Sequence, residues 1–284
     1  MSQSFSTTLR RAAGQALRHR LGQVPSALPD RVVREEVHPD PEKAAAFSHL
    51  VGDVAGTYLH PGYVHTLGFP LTMRLLTEKD FPLPLLGMVH ISNTVTTTRG
   101  IRLDDTLEIT ASIDGVRPHY AGTLVDSMLR VSVDGTEVFT DHSEYLVRGS
   151  DFGGERPDRP EREPFVPPAQ SAAWKLAGNA GRTYADVSGD RNPIHLTKIS
   201  AKLFGFDRPI VHGMYSASRA FSAAGVSAEG PLTWFVGFDA PIKLPGTVAF
   251  STSRAGGRVE YVGWRAARGD REARRHFHGY VEEK

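Results

Sequence analysis

An acid and an imidazole stand on either side of an Asn-Pro turn in Ser188-Gly189-Asp190-Arg191-Asn192-Pro193-Ile194-His195. Pro193 fixes its own φ and disfavours the α region for Asn192, so the segment should kink instead of running on as helix. On a continuous helix Asp190 and His195 would lie more than a turn apart on different faces; across a kink they can face one space. A carboxylate and an imidazole that converge can hold a water and activate it by acid and base action. Each residue also has an ordinary structural use. Gly-Asp-x-Asn-Pro is turn chemistry, an Asp before a short helix is often a cap, and a histidine after such a turn often packs. The specificity lies in the whole string and in a second string downstream of it. There, Pro209-Ile-Val-His212-Gly213-Met214 opens a stretch rich in small residues, which reads as a helix starting at a glycine.

Together the two strings resemble the hydratase-2 motif of the MaoC-like, R-specific enoyl-thioester hydratases, directly over about residues 170–284 and through a degenerate copy over the rest. Length and two-part layout resemble the double hot-dog MaoC-like proteins of actinobacteria, which handle fatty-acyl thioesters. The resemblance implies an α+β double hot-dog fold: two antiparallel sheets, each wrapped around a central helix, fused in one chain. It implies reversible hydration of trans-2-enoyl thioesters to (3R)-3-hydroxyacyl thioesters. Asp190 and His195 are then the catalytic pair, with His195 as base on the water and Asp190 delivering a proton to Cα; the reverse division stays open. Gly213 would offer its N–H to the thioester carbonyl at the positive end of a helix. Asn192 would orient the pair through its amide, and Ser222 would hydrogen-bond the acid. Read from the residues alone, Ser222 is equally a small packing residue beside Ala223 and Ala224, and His212 is expected to cap or pack. No cofactor is implied. The pairs His60 with His65 and His276 with His278 lack a carboxylate at ligand spacing, so no metal is expected. The expected partner is an acyl thioester, on CoA or on an acyl carrier protein. A thioesterase on the same fold and a non-catalytic acyl-thioester-binding subunit remain as other readings.

Composition bounds these expectations. The 284 residues are 40% hydrophobic and carry a net charge of +1. Such a chain can build a substantial core, and it lacks the concentrated basic surface that a nucleic-acid partner requires. With no cysteine, thiolate catalysis, disulfides and cysteine-held zinc are excluded. No apolar run reaches membrane-spanning length. Residues 1–30 are rich in Ser and Arg, with no acid before Asp30, and read as a basic N-terminal arm or helix. A mitochondrial transit peptide has the same composition. Because the resemblance is to bacterial proteins, the expected location is the bacterial cytoplasm, with the mitochondrial matrix as the alternative.

The elements that must position the motif fall into two similar sets. Residues 31–148 are expected to form a degenerate N-terminal hot-dog domain that shapes the acyl pocket. Its helix starts at Pro41 behind Asp40, a second helix reads from Gly68, and strands are expected over Thr94–Thr98, Leu107–Ile113, Thr123–Val133 and Glu137–Val147. Asp134-Gly135 signals a hairpin between the last two. Residues 149–168, with repeated prolines, read as an extended linker. Residues 169–284 are expected to form the catalytic C-terminal domain, opening with the helical motif region and continuing into strands. Phe47 to Asp53 lies over Tyr184 to Asp190, Gly68 to Arg74 over Gly213 to Arg219, and Gly100 to Thr106 over Pro241 to Thr247. This order reads as a duplicated unit. After Gly52-Asp53 the first copy has no Asn-Pro-x-His, so chemistry is expected in the second copy only, with His60 a remote substitute imidazole. The clustered Arg268, Arg271, Arg274 and Arg275 read as a charged strand edge or as contacts for a carrier phosphate.

The monomer would then be a dimer-like pair within one chain, alone or as a homodimer.

Overall fold

In a computed structural model of the protein, residues 7, 10–15, 27–161 and 163–284 are described. The first half runs β1 (Val32–Val37), α1 (Pro41–Val51), α2 (Pro61–Leu76), β2 (Met88–Thr97), β3 (Leu107–His119), β4 (Gly122–Val133) and β5 (Thr136–Arg148). The second runs β6 (Ala172–Leu176), α3 (Ala180–Ser188), a 3-10 turn (Pro193–His195), α4 (Lys198–Leu203), α5 (Gly213–Ala224), β7 (Leu232–Phe238), β8 (Gly246–Ala255), β9 (Arg258–Arg265) and β10 (Arg274–Glu283).

All ten strands join one antiparallel sheet in the order β1-β3-β4-β5-β2-β7-β10-β9-β8-β6. The order is symmetric about the β2–β7 pair, where Thr94 faces Phe235. Each half of the sheet packs on one long helix, α2 on β1, β3 and β4, and α5 on β7, β9 and β10. This is the double hot-dog, an α+β fold. The two helices meet where His60 and Ser218 are hydrogen-bonded, and Gly62 leaves no side chain in the way of the Ser218 hydroxyl. Apolar side chains from both halves share one core, including Phe47, Tyr63, Val95, Tyr184, Phe221, Trp234 and Val236. That shared burial couples the halves.

The local chemistry explains the helix ends. Asp40 accepts from the N–H groups of Glu42 and Lys43 at 3.0 and 3.2 Å, with Pro41 in the first turn of α1. α1 and α3 both stop at a left-handed glycine, Gly52 at φ 80° and Gly189 at φ 78°. The hairpin at Asp134-Gly135 has φ of 50° and 75°, as a two-residue turn of the expected type needs.

Three expectations change. The second helix begins at Pro61, not at Gly68. His60 caps it through Nδ1, which accepts from the Gly62 N–H at 2.9 Å, and the helix continues through Pro70. The equivalence of the helices changes with it. Tyr58 bridges Arg102 as Ile210 bridges Lys243, and Leu59 and Val211 donate to the carbonyls of Ile101 and Ile242. His60 is therefore the counterpart of His212, and Gly68 is not the counterpart of Gly213. Finally, the second half opens with an edge strand, β6, paired with β8, before its helix.

Residues 149–168 carry no helix or strand among the described residues. Of residues 1–30, the described positions 10–15 are helical, and the remainder of the expected basic arm lies largely outside the described residues. Gln15 is buried, donating to the carbonyls of Leu76 and Phe81 and accepting from the Leu85 N–H. No described helix is long and apolar enough to cross a membrane.

Candidate active site

Asp190 and His195 do converge. α3 ends at Gly189, the chain turns, and Asp190 accepts the backbone N–H of Asn192 at Oδ1 (3.1 Å). Asn192 in turn accepts the Ile194 N–H with its side-chain oxygen (3.4 Å) and so caps the Pro193–His195 turn. Asn192 thus meets Asp190 through its backbone N–H and caps the turn through its side chain; no hydrogen bond joins its side-chain amide to Asp190 or His195.

The His195 ring is buried and its Nδ1 lies 2.7 Å from the carbonyl of Ile210. Nδ1–H donates there, which leaves the Nε2 lone pair for the site. Gly181, in the first turn of α3, lies against the same turn. A Cβ at this position would come within 2.2 Å of the His195 carbonyl oxygen. A glycine is therefore what lets the His195 turn settle on α3, a requirement that the sequence did not show.

His212, expected to cap or pack, is part of the cluster. It precedes α5 without capping it through its side chain. Its Nε2 lies 2.9 Å from the Asp190 carbonyl oxygen and 3.7 Å from Oδ2, and its ring stacks on His195 at 3.7 Å between centroids. Tyr184 backs it at 4.8 Å. Gly213 follows as the first residue of α5. The first N–H groups of a helix have no intrahelical acceptor, and no side chain caps these. A Cβ on residue 213 would meet the Phe238 ring at 3.0 Å, so glycine is what lets that ring pack against the start of α5.

Electrostatics follow from burial. Burial pushes the Asp190 carboxyl above its ordinary value; His195 and the Asn192 N–H draw it part of the way back. Burial, and then the neighbouring His212, push His195 down to about 3, against the pull of Asp190 and the Ile210 carbonyl. Burial likewise lowers His212 to about 3. The site thus pairs neutral imidazoles with a carboxyl that holds its proton longer than usual.

These shifts have a stability consequence. His60, His90, His195 and His212 are each lowered from 6.5 to about 3, chiefly by burial. The unfolded chain therefore binds more protons below pH 6.5. Their contribution is complete above 6.5 and is lost as pH falls toward 3, each adding a slope of up to about 1.4 kcal/mol per pH unit. Asp190 has the opposite sign, since its raised value favours the fold below the ordinary carboxylate value and loses that contribution as pH rises through the folded value. The four imidazoles outweigh one carboxyl. Calorimetry is expected to show Tm falling steeply below about pH 6.5 with net proton uptake on unfolding.

Ser222 is not at the acid. α5 rises about 1.5 Å per residue, which puts Ser222 roughly 13 Å along the axis from Gly213. There its hydroxyl donates to the Ser218 carbonyl at 3.1 Å and meets His60 Nε2 at 3.3 Å. The implied hydrogen bond to Asp190 is thereby corrected: Ser222 serves the contact between α5 and the cap of α2. Ser222→Ala is expected to leave kcat within about two-fold and to cost about 1 kcal/mol of stability by denaturant titration. His60, the remote substitute imidazole, is engaged at both nitrogens as cap and helix tie. Arg275 is held by Asp239 in two hydrogen bonds of 2.9 Å, so that member of the basic cluster is not free for a phosphate.

Asp190, His195 and His212 each place a ligand atom within 4.8 Å of the others. Their geometry suits a water better than a metal. The two rings are stacked only 29° from parallel, so their in-plane lone pairs do not meet at one tetrahedral centre.

The family model for the MaoC like domain matches residues 162–261, which span this whole cluster. A 3-hydroxyacyl-thioester dehydratase X of Mycobacterium tuberculosis is 33% identical over 232 residues, covering 81% of this chain and 82% of that protein. The chain belongs to the MaoC-like dehydratase family. The crystal structure of HtdX of M. tuberculosis superposes with a TM-score of 0.76 at 28% identity, over 89% of this chain and all of that one. An (R)-specific enoyl-CoA hydratase of Aeromonas caviae is 39% identical over 62 residues, 22% of this chain and 46% of that protein. The residues that match the family model lie in the half that carries Asp190 and His195, and the matched span takes in Gly213.

Proposed function

We propose that the protein catalyses the reversible hydration of trans-2-enoyl thioesters to (3R)-3-hydroxyacyl thioesters. The observation that carries this is the neutral His195 Nε2 set beside the Asp190 carboxyl at the uncapped start of α5. A water held between the two gives its proton to Nε2 while its oxygen adds to C3. Negative charge moves to the thioester oxygen, where the Gly213 N–H and the positive end of α5 stabilise it; one such donor is worth roughly 3–4 kcal/mol of barrier. The Asp190 carboxyl, whose hold on a proton burial strengthens, protonates C2. The pair then exchanges the proton on His195 for the one Asp190 has lost. Dehydration is the same path reversed. Names of the relatives support an acyl thioester substrate, with CoA the thiol that one of them names, and the R configuration.

The test is product analysis of the purified chain with trans-2-enoyl-CoAs of several lengths. The proposal predicts an adduct of one water with the thioester intact and R at C3. Release of free CoA thiol without hydration would contradict it in favour of a thioesterase.

A further inference from the structure

The first half lacks the motif, yet it buries an ionisable cluster that the second half does not have. Asp141 on β5 is fully buried, and its Oδ2 lies 2.6 Å from His65 Nδ1 on α2. Asn93 on β2 donates to Asp141 and to the Ser143 hydroxyl, and Ser143 also donates to Asp141 at 3.2 Å. The pseudo-twofold axis through Thr94 and Phe235 gives the counterparts. His65, Asn93, Asp141 and Ser143 correspond to Ala217, Trp234, Gly279 and Val281. In the second half Tyr261 fills the space beside Gly279, bonded to Trp234 Nε1 and the Phe235 carbonyl. The hot-dog core is therefore complete without a buried His–Asp pair. Such a pair costs desolvation, and an apolar replacement of it is often neutral or stabilising.

The cluster points toward the reaction site through a row of rings. His65 stacks on His90 at 6.2 Å and 12°, and His90 stacks on Tyr145 at 4.6 Å. His90 also packs on Phe238 at 5.2 Å, and Phe238 lies against Gly213. The charge of Asp190 is felt by Tyr145, and Asp190 feels His65, so the cluster and the site share one low-dielectric region. Burial, outweighed by His65 and by Asn93, leaves Asp141 below the usual carboxylate range.

We propose that His65 and Asp141 are positioning residues of the first half, which lock His90 and thereby hold Phe238 against Gly213 at the thioester end of the site. The proposal rests on the hydratase reading for its kinetic arm. It gives the degenerate half a part in the geometry of the reaction as well as in the shape of the pocket.

The test compares Asp141→Asn, which keeps an acceptor for His65 Nδ1–H, with the apolar pair His65→Leu/Asp141→Leu. The expected result is a double variant at least as heat-stable as Asp141→Asn, with kcat lowered roughly ten- to a hundred-fold and KM little changed. Asp141→Asn should recover most of kcat. Wild-type kcat in the double variant, or kcat that simply follows Tm across the set, would overturn the proposal. Should the double variant fail to fold, His90→Leu carries the same test: unchanged Tm with a similar loss of kcat supports it, and wild-type kcat overturns it. Imidazole NMR of histidine-labelled protein needs no substrate. The His90 resonances should shift in Asp141→Asn and move further when the pair is removed; unchanged His90 resonances overturn the proposal. A wild-type chain without turnover would count against the hydratase reading alone, since the ring resonances still decide the positioning claim.

Discussion

His195→Ala is expected to lower kcat by roughly 10²- to 10⁴-fold, with CD spectrum and Tm close to wild type. The ring leaves a buried space, but its hydrogen bond is to a backbone carbonyl at the edge of the site and not to the central core. Asp190→Asn should do the same, because an amide preserves the bond from the Asn192 N–H while removing the transferable proton. The two losses should not add in the double variant, since either group alone cannot complete the proton exchange. Loss of folding in both single variants would instead mean that the pair is structural. Circular dichroism and steady-state kinetics on the same preparations separate the outcomes.

The second large effect is expected at a residue that takes no part in the chemistry. In Gly181→Ala, the new Cβ would lie 2.2 Å from the His195 carbonyl oxygen, a backbone atom that cannot rotate away. Either α3 or the Asn192–His195 turn must shift. A displacement near 1 Å at a catalytic base can cost on the order of a hundred-fold in kcat. The strain should also lower stability by about 1–3 kcal/mol. Kinetics and denaturant titration of Gly181→Ala check both; wild-type kcat would show that the turn accommodates the methyl without moving His195.

What the sequence made legible was local. Asp190, Asn192, Pro193 and His195 lie within one turn, and proline and asparagine impose that turn without help from the fold. The strands of the first half were readable because β-branched runs alternate and Asp134-Gly135 marks their hairpin. The features that were missed depend on distant contacts. Gly181 matters because α3 packs on the His195 turn, and His212 joins the site because the start of α5 comes back beside Asp190. Ser222 went to the wrong partner because a residue's place along a helix does not show which neighbour that face meets; here it meets His60. Gly68, just before Pro70, read as a helix start, when the true start was His60-Pro61, with a histidine as cap. β6 was hidden because Ala172-Ala173-Trp174-Lys175-Leu176 is short and poor in β-branched residues, and only pairing with β8 makes it a strand.

On the proposed mechanism the cluster at the start of α5, with His195 as base, adds water to a conjugated thioester. The most direct measurement follows absorbance at the enoyl-thioester band with purified protein and trans-2-enoyl-CoAs, for wild type and His195→Ala side by side. The account predicts loss of the band with wild type and a rate at least a hundred-fold lower with His195→Ala. Equal loss of the band with both proteins would contradict it, as would no loss with wild type at any chain length.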